Sequence, residues 1–567
     1  MSAAVTQGPL ALAARRPLPV LTLLCLAVWL PGFFTLPPLD RDESRFAQAS
    51  KQMVESGNFI DIRLGNEPRY QKPAGIYWLQ AASTALFGHP PYTQIWTYRL
   101  PSLLGALIAV FLAYWCLRGF TGPPAAFLGA AFLALTVALA AEARIAKTDA
   151  MLLATVMGAE AVLMRIYLAA RDAARRPPDR KLVLAGWAAV GAGILIKGPV
   201  IVAVLALTAI GVSLWDREWR WLKQSRPLSG IALALLIVLP WAIAIGLATH
   251  GQFFRQSLGG DFASKVVHGE ESHGAPPGYY LLLSTVTLWP ATLFALPGIA
   301  FAVTRRKEPA YRYLLAWLVP AWLMFELVPT KLPHYVLPLY PAVAMLGALW
   351  AAGPCEPPES HRMKSWRIVA CVQFGIGALA FAIAPIALPQ YLGNGTPWLL
   401  VPFAIVGAGI AAAAAALAGL RMKLRASGIA ALAAVVFYPL LLWGAAPRLQ
   451  QIWLSPRAAA RVAADRKPGD PPVVLAGYEE PSLVFLLGTA TRIEAREQAG
   501  RVAGAQGGLA LVDDRALAAF LSGVQEVGAG ARQVDEVDGF NYSRGHREHI
   551  HIYRVTPAYE DFAPPQE

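Results

Sequence analysis

The sequence predicts a polytopic α-helical membrane protein that carries a small soluble α/β domain at its C-terminal end. Of 567 residues, 56% are hydrophobic and only 15% are charged, whereas about a quarter of the residues in soluble domains are charged. Apolar runs long enough to cross a bilayer recur as far as residue 444. Beyond that point charge returns and the apolar runs shorten to strand length. We therefore predict a membrane domain at 1–445 and an outer α/β domain at 446–567.

Windows of roughly 17 to 25 apolar residues predict about thirteen membrane spans. Arg15 and Arg16 precede the first, and no small-residue cleavage site follows it, so we interpret it as a retained span rather than a signal peptide. The predicted spans cover about 18–36, 99–117, 123–141, 150–170, 181–196, 199–215, 228–248, 277–303, 310–328, 333–353, 366–388, 397–420 and 425–444.

Every second predicted loop is basic, which places the N-terminus in the cytoplasm by the positive-inside rule. The net charge of +13 thus reflects topology and does not indicate a nucleic-acid partner. The Ala- and Arg-rich composition favours a bacterial inner membrane, with the C-terminal domain in the periplasm. The basic loops lie at 165–181, 217–226, 305–307, 362–367 and 421–425, and the outer loops at about 37–98, 142–149, 249–276, 329–332 and 389–396.

The first outer loop, at about 37–98, begins with a cluster of acids and bases at 40–46. Asp42 opens an amphipathic helix that ends at Gly57, and we expect this helix to lie on the membrane surface. Asp42 is either a helix N-cap, with Glu43 placed against the helix dipole, or a working carboxylate, and the two roles are compatible. A second amphipathic helix, Ala74 to Phe87, follows Lys72.

Several outer-face bases defy the positive-inside bias and need a compensating anion. Internal salt bridges to Asp42, Glu43, Asp149 and Glu270 supply part of the negative charge, and a phosphate at the membrane surface would supply the remaining negative charge. For Lys72 the alternative is a lysine that snorkels to the interface. The exceptional bases are Arg45, Lys72, Arg144, Lys147, Lys197, Lys265 and Lys331.

Two further features of the outer loops bear on cofactors. Asp149 begins an apolar run, and because an ionised carboxylate avoids lipid, we expect it to contact a partner group, a metal or a substrate. His268 and His273, with acids between them, make a divalent metal site an alternative to a simple closing loop or turn. Their spacing matches no strong zinc signature, so the pattern requires no cofactor.

In the C-terminal domain, three apolar runs and a closing segment predict strands. They cover 473–477, 483–487, 509–512 and 549–555, and 515–521 predicts a helix.

Six outer-face segments, in order along the chain, resemble those of the GT-C membrane glycosyltransferases, in the branch that holds the protein O-mannosyltransferases and the lipid A aminoarabinose transferase. The resemblance therefore implies a GT-C fold. The segments are 42–46, 69–73, 144–149, 197–199, 273–280 and 330–338.

The resemblance implies inverting transfer of a sugar from a polyprenyl-phosphate donor to an acceptor on the outer side. Asp42 is the candidate catalytic carboxylate and Asp149 the second. Lys72, Lys331 and Tyr335 resemble contacts to the donor phosphate. Further expected donor contacts are Lys265 and Arg45, and Glu43, Arg144, Lys197 and Tyr70 are expected to shape the site.

The expected acceptor is lipid A or lipopolysaccharide, with core oligosaccharide or another envelope glycan left open. Two alternatives remain at this stage: an enzyme of the protein O-mannosyltransferase type that modifies serine or threonine, and a transporter or flippase for a lipid-linked sugar. A transporter would favour broken or charged helices at mid-membrane and related halves, and neither feature is evident in the sequence.

Overall fold

The computed structural model describes residues 13, 15–262, 275–354 and 360–558, and most of them lie in helices. We number the main helices α1 to α21. They are α1 Pro17–Trp29, α2 Asp42–Ser56, α3 Gly75–Phe87, α4 Ile95–Arg118, α5 Pro123–Leu135, α6 Val137–Glu142, α7 Asp149–Arg171, α8 Arg180–Lys197, α9 Val200–Asp216, α10 Pro227–Ala248, α11 Tyr279–Thr287, α12 Thr292–Thr304, α13 Pro309–Leu327, α14 Tyr340–Ala352, α15 His361–Leu392, α16 Val401–Gly419, α17 Lys423–Pro439, α18 Leu454–Asp465, α19 Pro481–Leu487, α20 Arg496–Gln506 and α21 Asp514–Glu526.

Each of the thirteen predicted spans overlaps one or two of these helices. Among the described residues, six helical segments are long and apolar enough to cross a membrane, and shorter apolar helices accompany them. The polytopic helical fold is therefore confirmed, whereas the number of spans stays a prediction. The six segments are Ile95–Arg118, Asp149–Arg171, Pro227–Ala248, His361–Leu392, Trp398–Gly419 and Lys423–Arg448.

Two of the predicted spans are each broken into two helices. In the 123–141 run the chain leaves the helical conformation at Thr136, whose hydroxyl accepts a hydrogen bond from the Leu139 amide at 3.4 Å and caps α6. In the 277–303 run α11 ends before Pro290, which has no N–H to continue a helix. Hydropathy alone hides both breaks, because the residues on either side are equally apolar.

The two helices predicted in the first outer loop are present as α2 and α3. Gly57 ends α2 in the left-handed conformation, with φ of 70°, a conformation that glycine adopts without steric cost. The N-cap residue is Arg41 and Asp42 is the first helical residue, so of the two roles considered for Asp42 the N-cap does not apply. Between α2 and α3 lies a small hairpin, β1 Arg63–Leu64 and β2 Glu67–Pro68.

The C-terminal residues form a five-stranded mixed sheet with helices on both faces. Its strand order is β4-β3-β5-β7-β6, parallel on the β4-β3-β5 side and antiparallel on the other. Apolar residues of α18 and α19 pack on one face, and those of α20 and α21 on the other. The strands are β3 Val474–Ala476, β4 Arg492–Ile493, β5 Gly508–Asp513, β6 Gly530–Asn541 and β7 His546–Thr556.

Three of the four strands predicted here and the helix at 515–521 are confirmed. The strand predicted at 483–487 was wrong, because this segment lies in α19. Pro481 occupies the first turn of that helix, where its fixed φ favours helix and its missing N–H costs nothing. Leu483 and Phe485 are both fully buried, and a short apolar run of this kind fits a helix as well as a strand.

Candidate active site

Charged side chains from four separate parts of the chain meet at one end of the helix bundle. Glu142 ends α6, Asp149 begins α7, Lys197 ends α8, and His334 precedes α14. Lys147 lies in the turn between α6 and α7. These five residues form the polar cluster. Helix termini place charge here readily, because α7 presents its positive dipole end to Asp149 and α8 its negative end to Lys197.

Short contacts hold the polar cluster together. The Lys197 Nζ donates to Asp149 Oδ1 at 2.5 Å, and the Lys147 Nζ donates to Glu142 Oε1 at 3.3 Å. The imidazole of His334 bridges the two pairs, with Nδ1 3.3 Å from the Lys147 Nζ and Nε2 3.8 Å from Asp149 Oδ2. Because Nδ1 faces an ammonium group, it is suited to accept that hydrogen bond.

Lys147 keeps its charge in this buried position. Burial opposes the charge, but Glu142 and Asp149 outweigh it, and the pKa of Lys147 lies above its ordinary value. A buried cation is retained in this way when carboxylates are close enough to repay its desolvation. Lys147 therefore stays charged, whereas burial raises the pKa of the neighbouring Glu142 carboxyl to about 7.

Asp42 and Arg45 lie in the first turn of α2 and are both half-buried, and Asp42 lies beside this cluster. The negative charge of Asp42 acts on both Lys147 and Arg45. Burial and the neighbouring Arg69 lower the pKa of Arg45. The structure thus brings the predicted catalytic carboxylate Asp42 to the polar cluster, and it gives Asp149 a lysine partner.

The predicted donor contacts Lys72 and Tyr335 lie at the same place. The Lys197 Nζ is 5.2 Å from the centroid of the Tyr335 ring, a cation–π contact. The Lys72 Nζ donates to the carbonyl of Gln71 at 3.0 Å, and the positive charge of Lys72 acts on His334.

Lys331 and Tyr70 each make contacts that connect separate segments of the chain. The Lys331 Nζ donates to the carbonyls of Ala275 and Val328, both at 2.8 Å. The Tyr70 hydroxyl donates to Asp61 Oδ1 at 3.0 Å, and its ring packs against Phe253. Tyr70 therefore joins the first outer loop to the segment that follows α10.

Glu43 points away from the polar cluster and pairs with Arg99, the fifth residue of α4. The guanidinium donates twice, from Nε to Oε1 at 2.8 Å and from Nη2 to Oε2 at 2.9 Å. Both side chains are almost fully buried. Glu43 also accepts from the amides of Leu39 at 2.9 Å and Ala146 at 3.0 Å, so it fixes the approach to α2 against the turn that carries Lys147.

Arg144 also turns away from the polar cluster. Its Nη2 donates to the carbonyl of Val28 at 2.6 Å, which ties the α6–α7 turn to the first helix. Together with Arg99 it lines a mainly apolar cavity of about 300 Å³.

Three predicted residues, Lys265, His268 and His273, lie outside the described residues. Conversely, Glu142, His334 and Arg99 were not among the predicted site residues. His334 lies inside the segment 330–338, and Glu142 lies just before the segment 144–149. Both could have been predicted as site residues by the pattern that identified Asp149, a titratable group at the edge of an apolar run. Arg99 was hidden at the start of a predicted span.

The C-terminal domain covers the beginning of α2 through polar contacts. The amide of Asp40 donates to the hydroxyl of Tyr542 at 2.6 Å, and the hydroxyl of Ser482 donates to the Asp40 carboxylate. The Gln48 side chain donates to Thr489 at 2.8 Å. The Asp42 segment is thereby held between the membrane helices and the soluble domain.

The fold and the polar cluster define a multi-pass membrane protein with a charged site at one membrane face, covered by a soluble α/β domain. A family model described as dolichyl-phosphate-mannose-protein mannosyltransferase matches residues 71–243. Over 423 residues the chain is 27% identical to the undecaprenyl phosphate-alpha-4-amino-4-deoxy-L-arabinose arabinosyl transferase of Pseudomonas paraeruginosa, covering 72% of this chain and 73% of that protein. It is 30% identical over 322 residues to the corresponding transferase 2 of Pseudomonas fluorescens, covering 54% of each.

Solved structures agree in fold. The crystal structure of ArnT from Cupriavidus metallidurans bound to undecaprenyl phosphate has a TM-score of 0.75 at 18% identity and covers 98% of this chain and 100% of its own. An Archaeoglobus fulgidus oligosaccharyltransferase has a TM-score of 0.52 at 12% identity and covers 92% of this chain and 69% of its own. The chain therefore has the GT-C fold of membrane glycosyltransferases, and its sequence is similar to those of the protein mannosyltransferases and aminoarabinose transferases.

Proposed function

We propose that this protein is an inverting glycosyltransferase of the bacterial inner membrane. It transfers a sugar from an undecaprenyl-phosphate donor to lipid A or a related lipopolysaccharide acceptor on the periplasmic side. The first candidate sugar is 4-amino-4-deoxy-L-arabinose, because two curated relatives carry that sugar in their names. The observation that supports the proposal best is the half-buried Asp42 beside the buried cation Lys147.

On the donor side, the leaving group is a lipid phosphate whose charge develops as the bond to the sugar breaks. Preorganised cations lower the barrier of such a step where little water is present. We assign this role to Lys72 and Arg45, with Tyr335 as a hydroxyl donor. Lys331 joins them once a phosphate oxygen replaces one of its two carbonyl partners, at Ala275 or Val328.

On the acceptor side, we assign the leading role to Asp42. A hydroxyl acceptor needs a base and a fixed orientation, and an already ionised phosphate acceptor needs only the orientation. Asp149 is engaged with Lys197, which makes it less available as a base. Its role is therefore to hold Lys197 and His334 in place.

The test compares lipid A from a deletion strain with lipid A from the same strain after a gene is returned to it. The returned gene is the wild type, an Asp42→Asn variant or a matched control variant. Glu67→Gln serves as the control because Glu67 is an exposed carboxylate in the same outer loop. Mass spectrometry should find the same sugar missing from lipid A in the deletion strain and in the Asp42→Asn strain, and present with Glu67→Gln. Immunoblots establish equal amounts of each protein. Normal lipid A in the Asp42→Asn strain would contradict the assignment of Asp42.

A second candidate acceptor is protein, which the description of the matching family model favours. The same strains distinguish it, because loss of glycans from envelope proteins with unchanged lipid A would identify protein as the acceptor. A transporter would predict a third pattern. In that case the Asp42→Asn strain would keep its glycans, because substrate passage needs no base at Asp42.

A further inference from the structure

Two histidines and two carboxylates occupy one face of the β6–β7 pair in the soluble domain, remote in sequence from the polar cluster. His549 and His551 are two residues apart on β7, so their side chains project from the same face of the sheet. In the antiparallel register Asp538 pairs with His549, and Glu536 pairs with His551. Both carboxylates therefore project from that same face.

The first residue of α21 adds a third carboxylate. Asp514 Oδ1 lies 2.7 Å from the Nε2 of His551. One ligand atom from each of Asp514, His549 and His551 can be chosen so that all three lie within 4.8 Å of one another. In a tetrahedral zinc site, with ligand bonds of about 2.0 to 2.2 Å, the ligand atoms are about 3.3 to 3.6 Å apart, so side-chain rotations that bring the atoms together by roughly 1 Å are needed for all three to reach one ion.

The hydrogen bonds of the two imidazoles fit metal binding. The Nδ1 of His549 is hydrogen-bonded to Asp538, and its Nε2 lies 3.5 Å from Glu536 Oε2. Histidines that bind metals commonly donate their second ring N–H to a carboxylate, which fixes the ring and its tautomer. Within the described part of the chain, the buried Nδ1 of His551 has no hydrogen-bond partner.

The two rings also lie unusually close, with centroids 4.3 Å apart. Three carboxylates surround them, from Asp514, Glu536 and Asp538. A divalent cation suits this arrangement, since its ligands are neutral imidazoles and ionised carboxylates.

We propose that Asp514, His549 and His551 bind a divalent transition metal, with Glu536 as the fourth ligand and Asp538 orienting His549. Two imidazoles with two carboxylates suit Zn²⁺, and imidazole ligands favour it over Mg²⁺ or Ca²⁺. The ion joins β6, β7 and the start of α21, and it thereby ties the edge strand of the sheet to its centre.

The test uses the full-length protein in detergent, stripped with a chelator and titrated with Zn²⁺, and then with Co²⁺, whose visible absorption reports tetrahedral ligation. The wild-type protein should bind one more equivalent of Zn²⁺ than a His549→Ala/His551→Ala double variant. The difference isolates this site from any binding at His268 or His273. His546→Ala is the matched control, because His546 lies on the same strand but on its other face.

A second variant covers the case in which the double variant fails to fold. Asp514→Asn leaves both histidines in place and should weaken zinc affinity by about ten-fold or more, since loss of a ligand carboxylate should cost at least as much as loss of a carboxylate that only supports a ligand. Equal zinc stoichiometry and affinity in the wild-type and Asp514→Asn proteins would overturn the proposal. Equal binding by wild-type and double-variant proteins would overturn it as well, and would mean that these residues form only histidine–carboxylate pairs.

Discussion

The Glu43–Arg99 pair shows how a buried charge can organise this site without contacting a substrate. Besides its two bonds to Glu43, Arg99 donates to the carbonyls of Phe33 and Leu36, both at 2.9 Å, and of Pro37 at 3.0 Å. The pair thus connects the segment after α1, the first turn of α2 and α4. The position of Asp42, the neighbour of Glu43, depends on these bonds.

We predict that Glu43→Gln destabilises the fold by about 3 to 5 kcal/mol, because removing one partner of a buried ion pair leaves the other charge uncompensated. The thermal unfolding midpoint of the purified protein in detergent should fall clearly. Glu526→Gln is the matched control: its pair with Arg501 is about half exposed on both sides, and such surface pairs contribute little to stability. Equal midpoints for Glu43→Gln and Glu526→Gln would show that the pair does not support the fold.

At this scale the sequence predicts types of residue better than pairs of residues. Bases at an outer face implied compensating carboxylates, and the structure gives Lys197 the carboxylate of Asp149, 48 positions away in the chain. No local pattern reveals that Glu43 pairs with Arg99 rather than with Arg45. Partner choice depends on how helices pack, which single-sequence periodicity does not report.

Among the helices, α2 is in contact with both the membrane domain and the soluble domain. One side of it carries buried apolar residues such as Phe46 and Met53, and its N-terminal approach contacts the soluble domain through Asp40. Burial, with a further contribution from Glu480, outweighs the hydrogen bond from Ser482 and raises the pKa of Asp40 to about 6. The contact between α2 and the soluble domain therefore contains a carboxyl group that resists ionisation.

We predict that this contact is stronger in mild acid than at neutral pH. Because the pKa of Asp40 is raised on folding, its contribution to stability is complete below about pH 4 and is lost as the pH rises through about 6. A shift of about two units corresponds to about 3 kcal/mol at most. Asp40→Asn keeps an oxygen that accepts from Ser482, so thermal unfolding at pH 7.5 should occur at a higher temperature than in the wild type.

The pH profile of the unfolding midpoint provides the control for this prediction. Between about pH 4 and 6.5 it should be flatter for Asp40→Asn than for the wild type, since the titrating group is gone. Glu497→Gln, an exposed acid of α20 in the same domain, should keep the wild-type profile. Parallel profiles for Asp40→Asn and the wild type would exclude Asp40 as the titrating group.

The elements also show where sequence patterns are ambiguous. The runs that became α4, α7 and β5 were unmistakable because length and hydrophobicity agreed. In α19, seven residues were too few for the helical period to appear, and in α5 and α6 a single threonine cap divided a uniformly apolar run. The long strand β6 was missed because it lies at the sheet edge, and its many polar residues obscured the alternation of a buried strand.

For the whole molecule, the charge bias of the loops predicts one orientation. In that predicted orientation the polar cluster and the soluble domain are on the periplasmic side and the basic loops are in the cytoplasm. This orientation is what the proposed function requires, because lipid A and the sugar-bearing head of the donor are expected to meet at the outer face.

Single cysteines test this orientation with a membrane-impermeant maleimide on spheroplasts. Glu67→Cys and Lys467→Cys, at exposed positions near α2 and in the soluble domain, should be labelled without lysis, and Lys307→Cys only after permeabilisation. All variants are made in a chain whose Cys355, which lies outside the described residues, is replaced by serine, and that chain gives the background, which should be low because Cys25 and Cys116 are buried and Cys371 is half-buried. Labelling of Lys307→Cys from outside, with Glu67→Cys protected, would reverse the topology. It would also rule out a periplasmic acceptor, because Asp42 and the polar cluster lie on the same side as the soluble domain that contacts them.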